Sequence, residues 1–274
     1  MKKYKSSKVL SFVIACLLSL SCSIPAFAAE TDSGDVVAQT TSNDYNQVIG
    51  MTDEQALEYF NEFLASQPNT LSTETTVTQE TLDEFAQYAV DNGIIEDTPE
   101  QRGAITKAIV RAEFAIVVAG GKLAGFSTAA ALLDHSLQDS PSNLEYGSTS
   151  DYAAQIADSS ECQQIVNDFK AYVSGKHLSA RSTSGSTTLD STTDLHLAYN
   201  KVSYIASGRK TNGVWNLTIT FNDTYDFETQ AWENAMTDNA VVTILNNYAA
   251  YAQSIGAIVP YNVKVTVSTT FTES

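Results

Sequence analysis

The sequence predicts an α+β protein: an N-terminal helical domain followed by a small antiparallel β-β-α-β domain. Three observations carry this expectation. Apolar residues recur at helical spacing from residue 51 to about 175. From Leu195 onward the period falls to two. Between two such alternating runs stands Thr211-Asn212-Gly213, a sequence suited to a tight hairpin because its central residues tolerate positive φ.

The elements follow in order. Residues 29–50 are rich in Ser, Thr, Asp and Asn with little apolar periodicity and read as a disordered leader. Thr52-Asp53-Glu54-Gln55 is a capping box ahead of Leu57, Phe60 and Leu64. Thr78 precedes a second amphipathic run through Leu82, Phe85 and Ala89, closed by Gly93. Thr98-Pro99-Glu100-Gln101 combines an N-cap, a proline at the first helical position and a reciprocal Gln. It should start a long buried helix from Pro99 to about Ala119. Arg111 and Glu113 in the middle of that helix exclude a membrane span. A further helix is expected over about Leu123 to Gln138, and Ser150 and Ser160 begin two shorter ones, the second ended by Gly175. The helical domain thus covers 51–175. Residues 176–192, with KHLSARSTSGSTT, read as a linker.

In the domain 193–274, Leu195, Leu197 and Tyr199 alternate as a first strand, with a phase slip near Asn200 and a resumption at Val202, Tyr204 and Ala206. Trp215, Leu217, Ile219 and Phe221 form one face of the returning strand. A helix is expected from Thr229 to Ile255, with a break at Thr237-Asp238-Asn239 and closure at Gly256. A last strand runs from Tyr261 to Phe271.

The first 28 residues place Lys2, Lys3, Lys5 and Lys8 before an apolar run from Val9 to Leu20 and then Ala26-Phe27-Ala28. That order is a secretory signal peptide cleaved after Ala28. The run is shorter than the roughly 20 apolar residues of a membrane span, so no integral membrane segment is expected after cleavage. Lipidation at Cys16 or Cys22 is the alternative route. Cleavage leaves 246 residues with 11 Lys or Arg and 32 Asp or Glu. A field of that sign opposes nucleic-acid binding. Cys162 is the one cysteine of the cleaved chain, so no internal disulfide can form, and it reads as a core thiol.

The segment Asn222-Asp223-Thr224-Tyr225-Asp226-Phe227-Glu228 stands where a strand gives way to a helix. Asp223, Tyr225 and Asp226 are therefore the candidate catalytic residues, two carboxylates flanking a phenol. In the competing reading both aspartates shape the turn and meet free amides while Tyr225 and Phe227 pack inward. Asp134, His135 and Ser136 are neighbours on a helix and cannot face one another, so they form no local triad. His177 falls in the linker and His196 on the polar face of the first strand. No His-x-x-x-His, cysteine pair or acidic calcium loop is present, so neither metal nor cofactor is expected. Gly120-Gly121 with Gly125 lacks the strand and the Lys-Ser/Thr of a phosphate loop and reads as helix end and close packing.

The stretch TITFNDTYDFE resembles Asp-x-Tyr-Asp-Phe segments in C-terminal domains of some bacterial secreted toxins, and its Asp223-x-Tyr225-Asp226 core is similar to that of the colicin M family. That family cleaves lipid-linked cell-wall precursor, so the resemblance implies an envelope-directed hydrolase. Its motif is followed by a His-Arg pair, where this chain has Trp232 and Glu233. The helical half with LLDHSLQDSPSN is similar to uncharacterised secreted proteins of Gram-positive bacteria. With scarce His and no nucleophile-base pair, the expectation is an exported, secreted or surface-associated, non-catalytic protein that binds an envelope or extracellular protein or carbohydrate. The alternative is a secreted antibacterial, toxin-like enzyme or envelope-directed hydrolase.

Overall fold

The computed structural model describes residues 44–66, 79–227 and 240–272, with the side chains of 240–246 left out. The expected signal peptide, residues 29–43 of the expected leader, the Thr78 cap, Trp232 with Glu233 and the expected break at 237–239 lie outside the described residues. The molecule is α+β. Its helices are α1 (Asp44–Ile49), α2 (Asp53–Ser66), α3 (Gln79–Asp91), α4 (Pro99–Leu123), α5 (Ser127–Ser136), α6 (Asp151–Ala157), α7 (Ser160–Val173), α8 (Thr193–Ala198) and α9 (Ala240–Ser254). Its strands are β1 (Leu144–Tyr146), β2 (Ala180–Thr188), β3 (Lys201–Thr211), β4 (Val214–Tyr225) and β5 (Tyr261–Thr272). Among the described residues no helix is long and apolar enough to cross a membrane.

Two compact units arise from these elements. The first holds residues up to Gly120, Leu137–Asp139 and Phe227–Val259, and the second holds Gly121–Ser136, Ser140–Asp226 and Pro260–Ser274.

In the first unit both expected helix starts form. Thr52 N–H donates to Gln55 Oε1 at 2.9 Å and Gln55 N–H to Thr52 Oγ1 at 3.3 Å. At the second start Gln101 N–H donates to Thr98 Oγ1, but the Gln101 side chain accepts from Glu96 N–H instead of returning to Thr98. Phe60 meets Phe85 edge-on at 5.2 Å, which fastens α2 to α3. The leader does not extend to Gly50 as expected: Asp44–Ile49 is helical, with Tyr45 and Ile49 buried and Tyr45 Oη donating to Asp53. Arg111 explains the anchoring. It is 2 % exposed, its guanidinium lies 4.9 Å from the Tyr45 ring, and its Nε donates to Ala257 O at 2.8 Å. Its Nη1 lies 2.9 Å from Asp139 Oδ1 as an ion pair outside hydrogen-bond geometry. One buried cation thus joins α1, the 137–139 segment and the turn after α9.

In the second unit a five-stranded sheet has the order β1-β5-β4-β3-β2, with β1 parallel to β5 and the other pairs antiparallel. The hairpin forms at Asn212 (φ 51°) and Gly213 (φ 82°), the double positive φ of a type I′ turn. Trp215, Leu217, Ile219 and Phe221 of β4 and Val263, Val265 and Val267 of β5 line the buried face. Phe169 of α7 seats against Trp215 at 5.8 Å and occupies the space that Gly208 leaves free. Cys162 is buried in α7, and burial pushes its thiol up to about 11.

Two expectations are corrected here. The stretch taken as a linker, 176–192, contains β2, which pairs with β3 over nine register positions. An edge strand exposed on both sides needs no apolar alternation, so its sequence carries no strand signal. The expected first strand at Leu195–Tyr199 is helix α8, capped by Thr192, whose Oγ1 accepts from Leu195 N–H. Leu195, Ala198 and Tyr199 are buried at i, i+3 and i+4 while Leu197 is 36 % exposed, a helical pattern that mimics alternation over five residues. Asn200 (φ 47°) is therefore the joint between α8 and β3 and not a bulge. With β1 added, the expected three strands become five, and α9 groups with the helices of the first unit.

Candidate functional site

The site begins with the parity of β4. Side chains on a strand alternate faces, so the inward row of Trp215, Leu217, Ile219 and Phe221 continues to Asp223 and Tyr225. A carboxylic acid is thereby placed on the apolar side of the sheet. Burial pushes the Asp223 carboxyl up to about 7, the negative charge of Asp226 adds to the rise, and a hydrogen bond from Thr224 N–H works against it.

Tyr225 is buried and stacks on Tyr261 at 5.3 Å and 29°. Its phenol is held well above its ordinary pKa by burial and then by Asp223. It packs inward, as the structural reading of the segment expected, with 7 % of its surface left exposed. Asp226 lies past the strand end and is exposed, and Phe227 is half-buried. Residues 228–239 lie outside the described residues, so capping by these aspartates is not among the described contacts.

On the inward side Asp223 has tyrosine neighbours. Tyr199 is 5 % exposed, and its hydroxyl has no hydrogen-bond partner among the described residues. Burial raises its pKa most, followed by the proximity of Tyr146, Tyr152, Asp223 and Asp194. Tyr146 and Tyr152 stack at 3.9 Å. Tyr146 does not stand out in the sequence, since β1 is only three residues long and gives no periodic signal, and Tyr152 sits in the first turn of the short helix α6.

The same strand end borders a hollow of about 590 Å³ that residues of both parities line, Val202, Asp223 and Val263 among them. One cross-strand row crosses it: Ser186, Ser203, Asn222, Lys264 and Glu145 are register neighbours on β2, β3, β4, β5 and β1. Lys264 pairs with Glu145 at 2.8 Å, and Thr224 Oγ1 donates to Asn262 Oδ1 at 3.1 Å. Asp223, Asp226 and Lys201 are also among the lining residues.

None of the lining residues is a histidine or an arginine. His135 places Nε2 2.8 Å from Ser142 O and meets the Tyr261 ring edge-on at 4.6 Å. His196 is exposed on α8, not on a strand face, and His177 is exposed before β2. Among the described residues no group of three or more His, Cys, Asp or Glu is placed to hold a metal ion. Gly121 lies within α4 with the position of a Cβ 3.3 Å from Ala130, the close packing expected of that glycine pair.

No protein-family model matches this chain, and no curated protein or solved structure matches it.

Chemically, the strand end offers an acid poised near neutrality, with no histidine base or arginine beside it in the hollow. Around it are amides and hydroxyls, which both donate and accept hydrogen bonds.

Proposed function

We propose that this chain is an exported, non-catalytic binding protein of the cell envelope or extracellular space, and that the hollow at the Asp223 end of β4 is part of its recognition surface. The observation that carries the reading is the composition of the hollow: amides, hydroxyls and a lysine–glutamate pair, with Tyr225 withdrawn into the core. General acid–base hydrolysis needs a base within reach of the acid, and His135 and His196 are both outside the lining. The test is co-sedimentation of the cleaved chain with purified cell wall. Wild type should pellet, and N222A/K264A should lose at least tenfold in affinity with an unchanged melting curve. Absence of pelleting, or equal pelleting of the variant, refutes the reading.

The raised pKa of Asp223 beside Asp226 favours a second reading, an envelope-directed hydrolase of the kind implied by the Asp-x-Tyr-Asp resemblance. Loss of a toxic phenotype in D223A with a wild-type circular-dichroism spectrum would establish it in place of the first.

A further inference from the structure

Charge is unevenly spread along this chain. It carries 32 acidic residues against 15 Lys or Arg, yet the stretches 169–189, 195–222 and 260–272 contain seven Lys or Arg and no acid. Those stretches build β2, β3, β5 and most of β4. The sheet is therefore a basic region of an acidic molecule, an asymmetry that points to a partner of opposite sign.

The cations concentrate where β2 begins. Lys176 Nζ lies 3.5 Å and the Arg181 guanidinium 4.3 Å from the centroid of the same Tyr172 ring, which is 44 % exposed. Arg209, opposite Ala180 in register, is exposed on the open face, whereas Arg181, opposite the inward Gly208, lies on the α7 side of the same edge strand. Lys176, Arg181 and Arg209 form no ion pair with a carboxylate of the described residues. Two like charges sharing one ring repel each other, and an anion between them would relieve that repulsion.

Beside Arg209 the open face is hydroxylated. Ser182, Ser207, Thr218 and Ser268 form an exposed row across four strands, about 4.8 Å apart from strand to strand. Ser182 Oγ and Ser207 Oγ lie 2.9 Å apart, so each can turn a donor or an acceptor outward.

We propose that this corner of the sheet binds a polyanion in which phosphodiester groups alternate with polyol units. The polymer crosses the β2 edge: its phosphates meet Lys176 and Arg181 on the α7 side of that edge and Arg209 on the open side, and its polyol hydroxyls meet the Ser182–Ser207–Thr218–Ser268 row. This deepens, and rests on, the reading of the chain as a binding protein. Nucleic acid shares the phosphodiester, but its single strands are held largely by bases stacked on aromatic rings. Here the exposed ring of Tyr172 is taken up by two side chains.

The test titrates the cleaved chain with poly(glycerol phosphate), with neutral dextran and with single-stranded DNA of matched charge. Wild type should bind poly(glycerol phosphate) in a salt-dependent way, with at least tenfold weaker binding of the DNA and none of dextran. K176Q/R181Q should lose at least tenfold. R102Q/K122Q, which removes two cations elsewhere, should lose less than twofold. Equal losses in both double variants, DNA binding as tight as that of the polymer, or no polymer binding would overturn the inference. If intact wall still pellets K176Q/R181Q as well as wild type, this inference fails while the binding reading stands. If wall pellets neither protein, the binding reading itself fails.

Discussion

Asp223 is a carboxylic acid on the apolar side of β4, and folding moves its pKa from 3.8 to about 7, chiefly by burial. Between those two values the folded chain keeps a proton that the unfolded chain has released. Stability therefore falls as pH rises from about 4 to about 7 and levels off above it. At about 1.4 kcal/mol per pH unit the full shift corresponds to about 4 kcal/mol, reduced to about 2–3 kcal/mol by residual solvent contact. D223N keeps the shape and removes the charge. Its stability should exceed that of wild type by about 2–3 kcal/mol at pH 8 and differ little at pH 4. Glu113, also raised to about 7 by burial, keeps part of the same pH dependence in the variant. The assay is urea unfolding at pH 4, 6 and 8, followed by fluorescence of Trp215, which is fully buried in the sheet. A D223N curve with the wild-type decline undiminished would refute the argument that burial, and not function alone, sets the acidity of this group.

Three further outcomes follow from the packing. Asp194, 8 % exposed, accepts from Thr128 N–H and Ala129 N–H and so caps α5 across more than sixty residues; D194A should lose about 2–3 kcal/mol, with faster hydrogen exchange at those two amides. R111M removes the donor to the Ala257 carbonyl and leaves Asp139 with Lys107 as its remaining cation, and should lose about 3 kcal/mol, a fall in Tm of roughly 6–12 °C, whereas K107M at the half-exposed end of the same cluster should lose less than about 1 kcal/mol. A Cβ at Gly208 would stand 2.6 Å from Phe169 Cζ, so G208A should lose about 1–3 kcal/mol, and F169L/G208A should recover part of it in a double-mutant cycle.

What the sequence revealed was whatever has a short-range physical signature. The Thr52 and Thr98 caps and the Asn212-Gly213 turn depend on residues within a few positions of one another. The inward row of β4 depends on alternation against a buried face. The edge strand Ala180–Thr188 had no such signature, because its pairing to β3 uses backbone groups and its side chains meet water on both sides. α8 was misread because Leu195, Leu197 and Tyr199 satisfy a period of two as well as Leu195, Ala198 and Tyr199 satisfy a period of 3.6; the decision came from the Thr192 cap and the burial of Asp194. For the site, the burial of Asp223 was legible in principle, since it falls on the same parity as Phe221 and Tyr225. Tyr146 and Tyr152, beside Tyr199, were not, because a three-residue parallel strand places the first and the helix after it the second.

The order of the sheet has a kinetic consequence. β5 is the last strand in the chain but lies second in the sheet, where Val263 is in register with both Leu144 and Asp223. Asn262 N–H reaches Asn143 Oδ1 across 119 positions of sequence. A nascent chain that has delivered only β2, β3 and β4 holds a hairpin meander with an unpaired edge at β4 and no hollow. Capture of residues 261–272 closes both at once, so maturation waits on a long loop closure and should be slow and nearly all-or-none. Closure of the hollow and completion of the sheet are then a single event in time.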